Sequence, residues 1–431
     1  MRLLIIGGGP GGYETAVEAA KRGLEVTLIS EGPLGGTCLN EGCIPTKTFC
    51  HYAELIEQNL KAGLDCKPSF ATAAQRKQAV VEQLRSGIDM LLKNVQVVRG
   101  RAEFKDSKTV ICNAQEYSAD KIIIATGSVS ASLPIPGAES CLTSKEILDL
   151  TEVPESLCVI GGGVIGLEFA SIFRSFGTEV TVLEYCPNIL PRFDVDLAKR
   201  LKQLLSKRGI NIEVQAQVTR IDGNTVTYIK KDKEFTVLAD KVLMAVGRRP
   251  NVDGLNLEAA GVDYTRKGIT VNDRFETSVP GIYAIGDVTG GIMLAHAATY
   301  QGLHALNGIC GLQDSIRFDL IPAAVFTMPE VATVGMTEEQ CKEQSLEVRP
   351  LKSFYRANGK AVSMDETDGY CKVIVDNDGK VLGAHIMGAH ASDLIHEIAA
   401  AMNLGATLQQ LQSVIHAHPT LSEVLQSALH N

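Results

Sequence analysis

Residues 2–30 read RLLIIGGGPGGYETAVEAAKRGLEVTLIS, and residues 157–184 read LCVIGGGVIGLEFASIFRSFGTEVTVLE. Each stretch opens with an apolar strand, passes through a glycine turn into a helical pattern ending at Gly23 or Gly177, and closes on a second strand, EVTLIS or EVTVLE. At an offset of 154 residues Gly7 falls on Gly161, Gly9 on Gly163, Gly12 on Gly166 and Gly23 on Gly177. Downstream, Asp120-Lys121 followed by IIIATG matches Asp240-Lys241 followed by VLMAVG at an offset of 120. Two registers of this kind mark a duplication, so the chain is read as an α/β protein with two strand–helix–strand units. The first copy is about 34 residues longer, and the stretch starting at Gly35 is the expected place for the extra length.

A strand, a Gly-x-Gly-x-x-Gly turn and a helix together form a dinucleotide site. The first glycine makes the tight turn, the second lets the backbone approach a pyrophosphate, and the third lets helix and strand pack closely; the helix N-terminus attracts the anion. Gly7, Gly9 and Gly12, with Gly161, Gly163 and Gly166, are therefore candidate cofactor-binding residues. Two plain glycine turns in a sheet are the alternative, which leaves the repeat unexplained. About 20 residues on, such a site carries an acidic side chain that accepts from the ribose hydroxyls. In the second copy this is Glu184, whose charge repels a 2′-phosphate, so NAD(H) is expected there rather than NADP(H). The equivalent residue of the first copy is Ser30, followed by Glu31; the expectation is that Glu31 serves, with a neutral bond from Ser30 as the alternative. Residues 277–288, TSVPGIYAIGDV, form a strand pattern ending at Asp287. Its place after the second unit suggests a return of the chain to the first, with Asp287 bonding a cofactor's polyol.

Composition bounds the rest. The 431 residues carry 50 acidic and 41 basic side chains, a net charge of −9, with no basic block, which argues against nucleic-acid binding. The 11 cysteines are odd in number and scattered, unlike a secreted disulfide framework, so a cytoplasmic chain with mostly reduced thiols is expected. The apolar start passes straight into glycines and reads as a buried strand rather than a signal peptide. The most membrane-like window, 156–173, contains several glycines and Glu168, and no spanning helix is expected.

Inside the extra segment, residues 35–47 read GGTCLNEGCIPTK. Cysteines five apart on a regular helix have Cα atoms about 8–9 Å apart, beyond the roughly 7 Å a disulfide tolerates. Cys38 and Cys43 can pair only if the segment is distorted, which Gly42 permits, and Pro45 suits the first turn of a following helix. Two inert thiols are the plain alternative; zinc lacks a second close Cys or His pair. Near the other end residues 416–423 read HAHPTLSE. Here His418 with Glu423 is a candidate base oriented by a carboxylate. Thr420-x-x-Glu423 equally fits a helix capping box, and His416 with His418 forms a metal-ligand pair lacking a third ligand, so no metal is assigned.

These stretches, with IIIATGS, GGGVIGLEFA, AVGRRPN, AIGDV…MLAHAA and IPAAVFTMPEVATVG, resemble the flavoprotein pyridine nucleotide-disulfide oxidoreductases over essentially the whole chain, and within them the dihydrolipoyl dehydrogenase branch. The resemblance implies two Rossmann-like domains: an FAD-binding domain at 1–148 and 268–316 and an NAD-binding domain at 149–267. It further implies a C-terminal α+β interface domain at 317–431 that makes a homodimer with a shared active site. It implies that Cys38 exchanges with substrate, that Cys43 faces the flavin, and that His418 of the other subunit, oriented by Glu423, is the acid/base. Lys47 then lies near the flavin and pairs with Glu168; Ala102, Thr126, Gly127 and the Met293–His296 backbone touch FAD; Val218 and Gly247 touch NAD. The implied reaction is oxidation of protein-bound dihydrolipoamide, on a 2-oxo acid dehydrogenase acyltransferase or a glycine-cleavage carrier, with NAD⁺ as acceptor. Ser30 and the short chain depart from the pattern at the FAD ribose. A glutathione-type reductase is the runner-up, disfavoured by Glu184, and a non-enzymatic FAD-binding subunit is disfavoured by the intact Cys38, Cys43 and His418.

Overall fold

The computed structural model describes residues 1–66 and 68–431. The chain divides into two compact units, one of Met1–Thr48, Ala74–Ala131 and Gly247–Ile316, the other of Phe49–Ala73, Ser132–Val246 and Arg317–Asn431.

The first unit is built on a five-stranded parallel sheet. Its order is Ile282–Ala284, Lys121–Ile124, Arg2–Ile6, Glu25–Ser30, Gln96–Arg99. In the central strand Leu3 and Ile5 pack with Ala16 and Ala19 of the helix Pro10–Lys21. Leu4 and Ile6 face the other way, onto Phe104 and Val110 of a small antiparallel sheet, Ala102–Phe104, Thr109–Cys112 and Gln115–Ser118. With both faces covered, such a strand reads as an unbroken apolar run rather than an alternation. The segment 277–288 supplies the edge strand Ile282–Ala284, parallel to Lys121–Ile124.

The second unit repeats this plan. Its parallel sheet runs Ile210–Val214, Glu179–Glu184, Ser156–Ile160, Lys241–Met244, beside an antiparallel sheet of Gln217–Asp222, Thr225–Lys230 and Lys233–Leu238. A single helix, Val195–Lys207, joins Glu179–Glu184 to Ile210–Val214. At the equivalent place the first copy holds Gly36–Glu41, Cys43–Lys61 and Phe70–Leu91. The extra length thus lies where the offsets put it.

The second unit also contains an antiparallel sheet in the order Ala323–Val325, Val331–Gly335, Val381–Met387, Tyr370–Asp376, Val348–Phe354. Cys371, Val373 and Val375 turn to one face, where they meet Ile395 and Ile398 of the helix Ala391–Asn403 and Leu425 of Glu423–Leu429. Strand alternation sends Lys372 to the opposite face. There its ammonium, fully buried, lies 2.7 Å from Asp194, which also caps the helix Val195–Lys207 through Leu197 N at 3.2 Å. Among the described residues no helix is long and apolar enough to cross a membrane.

Candidate active site

The two glycine turns have the same internal geometry. A Cβ on Gly7 would lie 2.1 Å from the Ala125 carbonyl oxygen, and one on Gly161 would lie 2.4 Å from that of Ala245. A Cβ on Gly12 would meet Gly7 O at 1.9 Å, and one on Gly166 would meet Gly161 O at 2.0 Å. These four positions are closed to any side chain. Gly9 and Gly163 differ: the nearest atom to a Cβ is 4.0 Å away at Gly9, and none lies within 4 Å at Gly163. The middle glycine therefore faces open space at a helix start, Pro10 or Val164, as a pyrophosphate needs.

At the second turn Glu184 is 7 % exposed and accepts from Gly162 N and Cys186 N, both at 2.6 Å. Its carboxylate is held against the glycine turn. In the first copy Ser30 occupies the matching place beside Gly8 and donates to Gly32 O at 2.9 Å, while Glu31 is exposed. Val218 lies buried in the strand Gln217–Asp222.

The cysteine segment is broken as its sequence requires. The helix Gly36–Glu41 stops at Gly42 (φ −148°, ψ −109°), and a new helix, Cys43–Lys61, begins at once with Pro45 in its first turn. A Cβ on Gly42 would approach Thr37 O to 2.9 Å. The break brings the two thiols into hydrogen-bond contact. The bond from Cys38 to Cys43, together with burial, pushes the Cys38 thiol far up; the Lys47 ammonium opposes this. Cys43 is the first residue of the helix Cys43–Lys61, so its sulfur sits at a helix N-terminus. Asn40, bonded to Leu34 O and Gly36 O and braced by Arg85 at 2.6 Å, fixes the turn that carries Cys38.

The same unit holds a polar chain absent from the sequence expectations. Arg248 donates through Nε to Ser128 Oγ at 2.7 Å and through Nη2 to Ser128 O at 2.8 Å, and Ser128 Oγ donates to Asp287 at 2.5 Å. The Arg248 guanidinium also feels the charges of Asp287, Glu41 and Cys43. Asn251 N bonds to Gly127 O at 2.9 Å, Thr126 Oγ1 to Asn251 O at 2.7 Å, and Ala131 N to Gly247 O at 3.0 Å. The stretch 247–251 thus braces the loop 126–131. Its motif, AVGRRPN, was visible, but nothing local says that its first arginine orders Asp287. Ala102 starts a strand of the small sheet. Met293 precedes, and His296 lies in, the first turn of the helix Ala295–Ile309, whose end offers N–H groups to an anion.

In the second unit His418 is largely exposed, and its Nδ1 lies 2.9 Å from Glu423 Oε1. A carboxylate only accepts, so Nδ1 carries the proton and Nε2 is left to take one. Glu423 Oε2 accepts from Thr420 N at 2.8 Å. That bond first, and His418 second, hold the Glu423 carboxyl below the usual range. Only half of the capping box forms: Glu423 Oε2 accepts from Thr420 N, but the helix begins at Glu423 and Thr420 Oγ1 donates to Ala417 O instead, while Glu423 Oε1 faces the imidazole. His416 is not turned to a shared metal but pairs with Glu397 at 2.8 Å. Glu168, 3 % exposed, accepts from Phe326 N at 3.0 Å.

Residues 1–302 match the pyridine nucleotide-disulphide oxidoreductases, and residues 321–429 match the dimerisation domain of the same enzymes. The chain belongs to the pyridine nucleotide-disulphide oxidoreductase family. Among its relatives it is similar to a dihydrolipoyl dehydrogenase of Bacillus subtilis, 40% identical over 449 residues covering 100% of this chain and 98% of the other. The dihydrolipoyl dehydrogenase of Geobacillus stearothermophilus is 41% identical over 444 residues, 99% and 94% of the two chains. Of solved structures, the HOCl-induced flavoprotein disulfide reductase RclA from Escherichia coli has a TM-score of 0.90 at 33% identity, covering 100% of this chain and 99% of its own. LpdA from Mycobacterium tuberculosis has a TM-score of 0.91 at 31% identity, covering 100% and 99%.

Proposed function

We propose that the protein is a homodimeric dihydrolipoyl dehydrogenase. It oxidises dihydrolipoamide carried by a 2-oxo acid dehydrogenase acyltransferase or a glycine-cleavage protein, with FAD as prosthetic group and NAD⁺ as acceptor. The observation that carries this reading is the helix break at Gly42 that brings Cys38 and Cys43 into hydrogen-bond contact at the start of the helix Cys43–Lys61. The family membership, the dimerisation match and the full-length relatives support it.

The turn at Gly7, Gly9 and Gly12 would hold FAD, with Ser30 or Glu31 at its ribose and Asp287 at its polyol. Lys47, Ala102, Thr126, Gly127, Met293 and His296 would complete that site, with Lys47 paired to Glu168. Gly161, Gly163, Gly166, Glu184, Val218 and Gly247 would hold NAD⁺. Bound FAD would supply two-electron chemistry beside Cys43, and NAD⁺ the final acceptor.

The protein's own groups handle the thiols. His418, contributed across the dimer, takes a proton from one substrate thiol at Nε2, and the resulting thiolate attacks Cys38 Sγ of the oxidised Cys38–Cys43 pair. The Cys38–Cys43 bond breaks and Cys43 leaves as a thiolate. The second substrate thiol then attacks the substrate sulfur of the mixed disulfide, closing the substrate disulfide and expelling Cys38, and its proton passes to the departing Cys38 sulfur. Two electrons have passed from the dithiol to the cysteine pair.

The test is turnover of lipoamide and of glutathione disulfide, each with NADH and with NADPH. The reading requires preference for lipoamide and NADH; preference for glutathione disulfide with NADPH would replace it by the glutathione-type alternative.

A further inference from the structure

His418 is carried on the stretch 413–422, between the helices Leu408–Gln412 and Glu423–Leu429. Within its own chain this stretch has few side-chain contacts next to His418: the His418 side chain is 79% exposed and Ile415 is 94% exposed. Thr420 Oγ1 donates to Ala417 O at 2.8 Å, and Asn358 Nδ2 donates to Thr420 O at 3.0 Å. Both act after or beside His418. On the N-terminal side Ser413 N and Val414 N bond to Gln410 O and Leu411 O at the helix end, and the side-chain anchor next to His418 is His416, whose side chain is only 5% exposed. Its Nε2 lies 2.8 Å from Glu397 Oε1, in the middle of the helix Ala391–Asn403, and its Nδ1 lies 3.3 Å from Val414 O.

Burying an imidazole is costly unless it is hydrogen-bonded, and here Nε2 meets the Glu397 carboxylate at the shorter distance of the two. Simple coverage of the helix would be met by an apolar side chain. The pair instead fixes the ring plane two residues before His418, with directional bonds to a helix that is itself packed on the antiparallel sheet. Glu423 feels the charges of both His418 and His416, so the two histidine–carboxylate pairs lie close enough to act together.

We propose that His416, clamped by Glu397 of the helix Ala391–Asn403, is a positioning residue that aims the neighbouring His418 for proton transfer. The inference rests on the reading of His418 as the acid/base. His416 touches no reacting atom; it fixes where the imidazole two residues on can reach. A displacement of about 1 Å at a reacting group costs about 10²-fold in rate.

The experiment uses the full-length, FAD-loaded protein in two assays. One is NAD⁺-coupled oxidation of dihydrolipoamide. The other is NADH oxidation by ferricyanide, in which electrons leave NADH through the flavin and no thiol proton is transferred. His416→Gln and Glu397→Ala are expected to lower kcat of the first about 10-fold to 100-fold. They leave ferricyanide reduction, flavin content and KM for NAD⁺ within about two-fold, and Glu397→Gln, which keeps a hydrogen-bond acceptor, loses less. Dihydrolipoamide kcat within two-fold of the parent in both His416→Gln and Glu397→Gln overturns the proposal. So does a proportional fall in both assays, which marks a folding role. His418→Gln is run beside them: if it keeps dihydrolipoamide oxidation, the acid/base reading itself has failed, which is a separate result.

Discussion

Lys372→Met tests the polar joint between the strand Tyr370–Asp376 and the start of the helix Val195–Lys207. The Lys372 side chain has 0% exposure and lies 2.7 Å from Asp194, also 0% exposed, 3.2 Å from Glu338 and 3.3 Å from Asp196. Burial alone would lower the lysine's proton affinity, but the three carboxylates outweigh it and the group is held charged. At 2.7 Å and an effective dielectric of about 20, the bare attraction to Asp194 is about 6 kcal/mol. Desolvation cancels most of that in the intact pair, so the pair's net worth is small. Removing the cation alone leaves Asp194 buried and charged, with Oδ2 already lacking any hydrogen bond, and costs about 3–5 kcal/mol. The chain has no tryptophan, so urea unfolding is followed by far-UV circular dichroism at fixed protein and FAD concentrations. The midpoint should fall with little change in slope. Asp194→Asn combined with Lys372→Met should recover part of the loss, because the amide keeps the helix cap without the charge. A single-variant loss below about 1 kcal/mol would refute the view that an uncompensated buried carboxylate dominates this joint.

Other outcomes follow from the same geometry. Cys38→Ser or Cys43→Ser abolishes dithiol oxidation, while Cys112→Ser, a buried thiol remote in sequence from the pair, retains it; steady-state rates decide. Glu184→Ala removes the acceptor that excludes a 2′-phosphate, so the ratio of kcat/KM for NADH over NADPH should drop about 10-fold or more, reflecting the roughly 1.5–3 kcal/mol of a charged hydrogen bond. Asp196, held down to about 2 first by its bond to Lys352, has a depressed folded-state value. Its stabilising contribution is complete above about 3.8 and is lost as pH falls toward 2, so Asp196→Asn should flatten the acid limb of stability between those values. An Asp196→Asn limb as steep as the parent's counts against this.

Much of the fold was legible because glycine is a steric requirement rather than a preference. Gly7, Gly12, Gly161 and Gly166 sit against carbonyl oxygens that no Cβ can approach, so the duplication leaves fixed marks at constant spacing. The offset of 120 was equally physical, since Ala125 and Ala245 lie under the two turns. Cys38, Gly42 and Cys43 were legible as a local distortion. What escaped was long-range: Arg248 reaches Asp287 through Ser128, Lys372 meets Asp194 across 178 positions, and His416, outside any helix, finds Glu397 on the helix Ala391–Asn403. No periodicity encodes such contacts. For Glu423 the motif offered two readings, and only the structure shows one oxygen on Thr420 N and the other on the His418 ring.

The central claim, that electrons enter at Cys38 and Cys43, is tested most directly by adding one equivalent of dihydrolipoamide to the oxidised, FAD-loaded protein without oxygen. The products are then alkylated and their cysteines mapped by mass spectrometry, with and without NAD⁺. The account predicts that two sulfurs per chain, Cys38 and Cys43, become alkylated after the dithiol and are protected again by NAD⁺. No gain at these two positions, or an equal gain at other cysteines, would contradict it.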